Sequence, residues 1–405
     1  MPERWRVALL CFAANVIAHA DRISLSVAVP AILAEYRWDT AQMGWVLSAF
    51  FSGYTLLMIP AGLAAQRFGP RRMFGYSIGL WSLFTMLTPL PRTIAGMAAV
   101  RFLLGVGESG TAACINGTLA RWFPPTEYSR AAGLCWSGGY MAPLLAFPLA
   151  TGILQQFGWR AIFVGFGLLG FLWLPLWLRV AWPALPASAG GLPRLSMRLW
   201  KAPAVWAVFL LHFSSNWFLY VMISWLPTYL ALERKLSLPG MAAGAAVPFL
   251  FAWVGTNTFA WAIDRATPRL GSTRARKLFL LPYALAGASI FAVPRAESAA
   301  SAIVLLCAAM GLLASATPIF SSASLNLAPR IAAPLAAVQN AFANLSGVIA
   351  PAVVGYLVKA HGWPSAFTLT TAVCLAGIAA YLLFGDAEPL EGNPQPAARV
   401  NTAGG

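Results

Sequence analysis

Four ionisable residues lie deep inside apolar stretches of this 405-residue chain. Side chains of these types could bind an anion and carry a proton. Asp21 and Arg22 are neighbours in the first stretch, and Arg101 and Glu108 lie in the fourth. A charge at the centre of a membrane helix costs about 2.5–3.5 kcal/mol on insertion scales, so these residues should face one another, water or a substrate. A guanidinium binds a carboxylate through two hydrogen bonds, and a carboxyl removed from water can take up a proton. The pattern favours a proton-coupled anion site.

The spacing of these residues lets them border one cavity. Arg101 and Glu108 are seven residues apart, which places them on one helix face about 10 Å apart along the axis. Asp21 and Arg22 point about 100° apart, so both can face the same space without pairing with each other. The alternative is a static ion-pair network that only locks the helices. Because buried networks can be replaced by apolar packing without loss of stability, a network kept at such cost favours function.

The elements that must position these residues are membrane helices. Apolar residues make up 59% of the chain and charged residues 10%, and the mean hydropathy is +0.70, which excludes an ordinary soluble protein. The apolar runs are continuous and about twice as long as the alternating strands of a β-barrel. Twelve segments have the length of a spanning helix, at about 6–30, 41–65, 73–90, 94–120, 131–155, 161–182, 203–231, 241–263, 278–294, 298–325, 333–358 and 364–384.

The longest connection, residues 183–202, divides these segments into two sets of six. Gly158-Trp159 with Phe163 recurs as Gly362-Trp363 with Phe367, and Gly139–Pro143 recurs as Gly347–Pro351. We therefore predict an all-α membrane protein of twelve transmembrane helices, with two six-helix halves, 1–182 and 203–385, related by pseudo-twofold symmetry. Residues 183–202 would be a cytoplasmic linker and 386–405 a disordered cytoplasmic tail. Parallel repeats of this kind bind substrate at the midplane, between the halves.

The net charge of +15 is mainly a signal of orientation. Eighteen of the 27 Lys and Arg residues lie on the side of the predicted bundle that carries the N-terminus, and seven lie on the other side. By the positive-inside rule both termini are cytoplasmic, and the basic residues do not indicate nucleic-acid binding. The five cysteines lie in apolar segments without metal-ligand spacing, so we expect buried thiols and no metal.

Two motifs resemble the anion:cation symporter family of the major facilitator superfamily. They are Asp21-Arg22-Ile23-Ser24-Leu25-Ser26-Val27-Ala28 and Arg101-Phe102-Leu103-Leu104-Gly105-Val106-Gly107-Glu108. Further matches cover nearly the whole chain and include Arg121-Trp122-Phe123-Pro124-Pro125, Trp225-Leu226-Pro227-Thr228-Tyr229-Leu230, Asp264-Arg265, Thr273-Arg274-Ala275-Arg276-Lys277 and Asn340 with Asn344-Leu345-Ser346-Gly347. The family includes bacterial sugar-acid, hexuronate, tartrate and phthalate carriers, and animal vesicular glutamate and sialic acid carriers.

The resemblance implies roles for individual residues. Asp21 and Glu108 would be the protonatable pair, with Glu108 the stronger candidate for coupling. Arg22 and Arg101 would bind the substrate carboxylate or exchange ion pairs during the transport cycle. The substrate pocket would also include Tyr54, Thr317, Phe320, Asn340 and Asn344. Gating would involve Arg67, Arg71, Asp264 and Arg265.

The chain departs from the family pattern at two positions. His19 stands in Ala18-His19, where the family usually has Asn-Tyr, so an imidazole could take part in substrate or proton binding. Gln66 replaces the usual Asp of the loop between the second and third segments, whereas Asp264-Arg265 keeps its counterpart, so gating would be asymmetric.

The combined prediction is a proton-coupled symporter of a small organic carboxylate that works by alternating access. The protein would be a monomer in the cytoplasmic (inner) membrane, with the proton as coupling ion and no other cofactor. A proton-coupled exporter or antiporter of an organic acid or small drug is the alternative. An intramembrane enzyme is disfavoured because the three histidines are scattered and nucleophile motifs are missing. Few amide and hydroxyl side chains are expected in the pocket, which favours a carboxylate less hydroxylated than a sugar acid.

Overall fold

A computed structural model describes residues 2–182 and 197–390, and over these residues the chain is helical with no strands. The first half comprises α1 (Glu3–Tyr36), α2 (Thr40–Phe68), α3 (Pro70–Leu87), α4 (Ile94–Glu108), α5 (Thr111–Trp122), α6 (Pro125–Phe157) and α7 (Trp159–Leu178). The second half comprises α8 (Met197–Lys201), α9 (Pro203–Thr228), α10 (Leu238–Leu270), α11 (Ser272–Leu278), α12 (Leu280–Ala292), α13 (Ala299–Leu313), α14 (Ala316–Ser321), α15 (Ala323–Leu327), α16 (Ala332–His361) and α17 (Trp363–Phe384).

Each of the twelve predicted segments lies on one of these helices or on a run of consecutive helices. In the described part of the chain, eleven helical stretches are long and apolar enough to cross a membrane. The remaining segment is α3, which has 18 residues and begins with Pro70-Arg71-Arg72. It packs against α7 and α4 as a member of the bundle.

Helix pairing in the first half is repeated in the second. In the first half α1 packs on α6, α2 on α4 and α3 on α7, and the corresponding pairs in the second half are α9 on α16, α10 on α13 and α12 on α17. This repetition confirms the predicted fold of two six-helix halves.

Four glycines mark the same turns in both halves. Gly69 and Gly271 have φ angles of 84° and 79°, and Gly158 and Gly362 have φ angles of 78° and 75°. Each joins two helices through a single residue in the left-handed region, which glycine adopts without steric cost. The pair Gly158 and Gly362 belongs to the repeat seen in the sequence, whereas the pair Gly69 and Gly271 becomes recognisable only from the backbone.

The halves meet through α2 on α16, α6 on α10 and α1 on α9. We call the face of the bundle that carries residues 37–39 the distal face and the opposite face, which carries Pro2 and Gly69, the terminal face. At the distal face Thr40 donates to the carbonyl oxygen of Gly355 over 2.8 Å, and the backbone N–H of Ala352 donates to Ser48 over 3.1 Å.

A salt bridge completes the distal contact between the halves, with 2.9 Å between Nζ of Lys359 and Oδ2 of Asp39. Within the described ranges, no hydrogen bond or ion pair joins the halves nearer the terminal face than the contact between Asn340 Nδ2 and Met58 Sδ, at 3.7 Å. The halves are therefore closed at the distal face.

Two predicted connecting segments are described only in part. Of the linker 183–202, residues 183–196 lie outside the described residues, and α8 forms near its end. Residues 386–390, which we assigned to a disordered tail, are ordered: Asp386 accepts a hydrogen bond of 2.6 Å from Thr273, and the N–H of Leu390 donates to Leu327. These contacts correct the start of the tail, and residues 391–405 lie outside the described part.

Candidate functional site

A cavity of about 190 Å³ lies between the two halves and collects polar side chains from both. Its lining comprises Asn15, His19, Arg22, Tyr54, Glu108, Thr111, Ala112 and Trp136 from the first half and His212, Asn216, Tyr220, Asn340 and Asn344 from the second. The charged members, Arg22 and Glu108, both come from the first half. The second half contributes only uncharged or imidazole groups, so the two halves play different electrostatic roles.

Arg22 and Glu108 form an ion pair in the cavity wall. Nε and Nη2 of Arg22 both donate to Oε1 of Glu108, and the Nε distance is 2.7 Å. The Glu108 side chain has no exposed area and that of Arg22 is 9% exposed. Because the pair is withdrawn from bulk water, its attraction is much stronger than that of a surface pair.

The local fold explains how Glu108 reaches this position. Glu108 is the last residue of α4, and the helix is interrupted before α5 begins at Thr111. The hydroxyls of Ser109 and Thr111 donate to the carbonyl oxygens of Val106 and Glu108 at the interruption. Interrupted helices near the midplane are typical of transporter binding sites.

Two aromatic rings hold the Arg22 guanidinium from the side of α2. Its Cζ lies 5.1 Å from the centroid of Phe50 and 4.8 Å from that of Tyr54, and these two rings are stacked with 6.0 Å between centroids. Cation–π contacts of this kind are strongest where water is excluded. Tyr54 therefore lies in the predicted site as both a cavity wall and a support for Arg22.

Asp21 and Arg101 lie behind the cavity rather than in its lining. The side chain of Asp21 is fully buried and Arg101 is 2% exposed. Arg101 donates to the backbone oxygen of Asp21 over 3.4 Å, and its Cζ lies 5.4 Å from the ring centroid of Phe50. Phe50 thus contacts both guanidiniums, one of which pairs with Glu108 and the other with the backbone oxygen of Asp21.

The second half supplies a network of amide and hydroxyl groups. Tyr220 donates to Oδ1 of Asn344 over 2.5 Å, and Nδ2 of Asn344 donates to the backbone oxygen of Asn340 over 2.8 Å. Asn340 and Asn344, which we predicted to bind substrate, therefore line this cavity. Phe320 and Thr317 are not in the lining; Phe320 stacks on His212 with 3.9 Å between centroids.

Sequence reading missed several members of this site. Asn15, Trp136, His212, Asn216 and Tyr220 all line the cavity, but single polar residues on apolar helices give no local signal of a shared cavity. The expectation of few amide and hydroxyl groups is corrected by the same lining. His19, which we singled out as a departure from the family pattern, does face the cavity.

No hydrogen bond or salt bridge joins the predicted gating residues to one another in the described part of the chain. Arg71 donates to the backbone oxygen of Leu178 over 2.7 Å, and Arg67 lies over the ring of Phe68. Arg265 lies over Trp261, and Asp264 lines a separate cavity of about 470 Å³ in the second half. In the state described, these residues belong to two separate groups at the terminal face.

Comparison with known proteins agrees with the fold. Residues 11–349 match the sequence profile of the Major Facilitator Superfamily. The chain is 30% identical to the chloroplastic ascorbate transporter of Arabidopsis thaliana, covering 96% of this chain and 76% of that protein. It is also 30% identical to the chloroplastic sodium-dependent phosphate transport protein 1 of the same plant, covering 96% and 80%, and 27% identical to sialin of Ovis aries, covering 87% and 77%.

Solved structures share the fold. A bacterial homologue of the human lysosomal transporter Spinster, in an inward-facing and occupied conformation, superposes with a TM-score of 0.79 at 19% identity, covering 95% of this chain and 97% of that one. A mutant of the nucleoside transporter NupG gives a TM-score of 0.76 at 13% identity, covering 95% and 100%.

The fold, the cavity and these relatives define the class of protein: a multi-pass membrane transporter, not an enzyme. The chain belongs to the Major Facilitator Superfamily, and the relatives agree with the anion:cation symporter family predicted from its motifs.

Proposed function

We propose that this protein couples the uptake of a small organic carboxylate to protons by alternating access. The observation that supports the proposal is the ion pair between Arg22 and Glu108 in the cavity wall. A substrate carboxylate would bind the same guanidinium that the Glu108 carboxylate occupies. Substrate and an ionised Glu108 therefore compete for Arg22.

A proton on Glu108 resolves this competition. A protonated carboxyl carries no charge, so its attraction for Arg22 falls and the guanidinium becomes available to the substrate. Loss of the proton restores the pair and expels the anion. Transport would then move no net charge across the membrane, because one proton enters with each anion charge.

Alternating access would arise from rocking of the halves 1–182 and 203–385 around this cavity. The distal face is closed in the state described, so binding from that side needs separation of α2 from α16. The bias of basic residues towards the terminal face supports a cytoplasmic terminal face with both termini inside. We propose a monomer in the cytoplasmic membrane, because each chain contains a complete cavity.

The decisive experiment compares wild type with Glu108→Gln in proteoliposomes. Under an inward proton gradient, wild type should accumulate a labelled carboxylate from a panel tested beside inorganic phosphate. Glu108→Gln cannot exchange a proton, so it should lose accumulation but keep counterflow of labelled against unlabelled anion. Glu35→Gln is the matched control, since Glu35 pairs with Arg160 near the distal face, outside the cavity lining, and it should accumulate normally.

The same vesicles separate the rival mechanisms. Concentrative uptake by Glu108→Gln would refute the assignment of the coupling residue. Anion flux opposite to the proton flux would identify an antiporter. Accumulation that needs sodium and persists without a proton gradient would identify a different coupling ion.

A further inference from the structure

We propose that His212 is the hydrogen-bond donor through which the second half holds the bound anion, with its tautomer fixed by Gln339. The two cavity histidines then have opposite tautomers: His212 offers an N–H and His19 offers a lone pair. This inference deepens the proposed function, since it concerns recognition of the anion and not the coupling ion.

The amide of Gln339 determines the protonation of His212. Its Nε2 lies 2.9 Å from the backbone oxygen of Phe320, which can only accept a hydrogen bond, and this contact fixes which end of the amide is the nitrogen. The same nitrogen lies 3.2 Å from Nδ1 of His212. Since an amide nitrogen only donates, Nδ1 must be the acceptor.

Ser324 completes the arrangement from the other end of the amide. Its hydroxyl lies 2.9 Å from Oε1 of Gln339, so both ends of this buried side chain are engaged. The imidazole with an accepting Nδ1 is neutral and carries its hydrogen on Nε2. Nε2 has no partner within the described residues, and since His212 lines the cavity, this N–H is the polar group that the ring offers to a ligand.

The ring of His212 is held rigidly. It stacks on Phe320 with an interplanar angle of 12°, and the residue is 9% exposed. A donor that is already oriented loses little conformational entropy on binding, which favours affinity. Phe320, predicted as a pocket residue, therefore acts through His212.

His19 has the opposite arrangement. Its Nδ1 lies 2.9 Å from the backbone oxygen of Asn15, a group that only accepts, so Nδ1 carries the hydrogen. In the neutral ring, Nε2 is then an acceptor, suited to a hydroxyl or amide donor of a substrate. The first half thus supplies the charged pair and an acceptor, and the second half supplies a donor without adding a charge to the neutral pair of Arg22 and Glu108.

The tautomers can be read directly by NMR of ¹⁵N-histidine-labelled protein in lipid bilayers, because the chain has only three histidines. We expect protonated Nε2 for His212 and protonated Nδ1 for His19, with the exposed His361 as internal reference. The signals that disappear in His212→Gln are those of His212. Gln339→Met should mix the tautomers of His212 and leave His19 unchanged. A protonated Nδ1 on His212 in the wild type would overturn the proposal.

Contact with the anion is tested with gluconate as the probe. Saturating gluconate should shift the Nε2 signal of His212, and an unmoved signal would overturn the contact. His212→Gln places an amide nitrogen near the Nε2 position and should keep gluconate affinity within about threefold, whereas His212→Asn cannot reach and should lose about tenfold. Equal affinities for the two variants would also overturn it. The tautomers do not depend on the coupling ion, so failure of the Glu108→Gln experiment would leave this result standing.

Discussion

Arg22 directs two nitrogens, Nε and Nη2, at a single oxygen of Glu108. The other oxygen, Oε2, is buried and has no hydrogen-bond partner in the described residues. A full bidentate pair would engage both oxygens, and a buried acceptor without a partner costs free energy. The carboxylate of Glu108 is thus held through one oxygen only, and Oε2 is the oxygen left free to take up a proton.

The positions of the two arginines predict different phenotypes for the same substitution. Arg22 lines the cavity, whereas Arg101 lies behind it. Arg22→Lys replaces a planar fork by a point charge and should weaken anion binding about ten- to hundredfold, since hydrogen bonds to charged groups contribute about 1.5–3 kcal/mol. Arg101→Lys should change affinity by less than about threefold and reduce the maximal transport rate instead. Binding isotherms and initial rates of uptake measure the two effects.

This prediction revises the view from sequence, in which both arginines bind substrate. A large loss of affinity in Arg101→Lys, with Arg22→Lys unaffected, would show that the anion binds deeper than the cavity described. Arg160→Lys is a suitable control, because Arg160 pairs with Glu35 near the distal face, outside the cavity lining, and it should leave anion affinity unchanged.

Substitution of Asp21 tests whether its carboxyl acts in transport or only in a static network. Neither oxygen of its buried carboxyl accepts a hydrogen bond in the described residues, so Asp21→Asn breaks no ion pair and should lower the melting temperature by no more than about 2 °C. Proton-driven uptake should nevertheless fall at least about tenfold if the carboxyl carries a proton. Thermal unfolding and uptake on the same preparation separate the outcomes, and a strongly destabilised variant would favour the static network.

The fold could be predicted from the sequence, and four charged residues could be singled out in it, for definable physical reasons. Twelve apolar segments follow from the length needed to cross a bilayer, and Asp21, Arg22, Arg101 and Glu108 stand out because charge inside such segments is costly. His212, Asn216 and Tyr220 could not be found in this way, since neutral polar residues are tolerated on many faces of a buried helix. Only the packing of α9 against α1 and α16 shows that they reach the same cavity.

Closure of the distal face depends on glycine where α2 crosses α16. A Cβ atom on Gly44 would lie 2.7 Å from the carbonyl oxygen of Pro351 and 3.0 Å from Cα of Ala352, and backbone atoms cannot give way as a side-chain end can. Gly44→Ala should therefore push the halves apart at the distal face. In a Thr40→Cys background, a membrane-impermeant thiol reagent should react several-fold faster.

Gly79→Ala is the matched control for this experiment. Gly79 is also within a helix, but no atom lies within 4 Å of its added Cβ, and alanine is favoured over glycine in a helix by about 1 kcal/mol. This variant should leave the reactivity at position 40 unchanged. Equal reactivity in Gly44→Ala and Gly79→Ala would contradict the role of the crossing in closure.

The salt bridge between Asp39 and Lys359 should not contribute to the pH dependence of uptake. Partial burial raises the pKa of Asp39, but hydrogen bonds from Lys359 and from the backbone N–H of Gln42 lower it more, so the net pKa is below its ordinary value of about 3.9. A depressed pKa means that the bridge stabilises the closed distal face fully above that ordinary value, and that this contribution is lost as pH falls through the closed-state pKa. Between pH 5.5 and 7.5 the contribution is constant.

Asp39→Asn should therefore leave the shape of the pH profile of uptake unchanged while altering its height. Asparagine also caps helices well, so the N-terminus of α2 at Asp39 stays capped. A bridge with both partners partly exposed contributes about 0–1 kcal/mol, so the rate should change by less than about fivefold. Initial rates from pH 5.5 to 7.5, measured beside Glu108→Gln, test this: a profile flattened by Asp39→Asn would assign the proton-sensitive step to the distal face and remove it from the cavity.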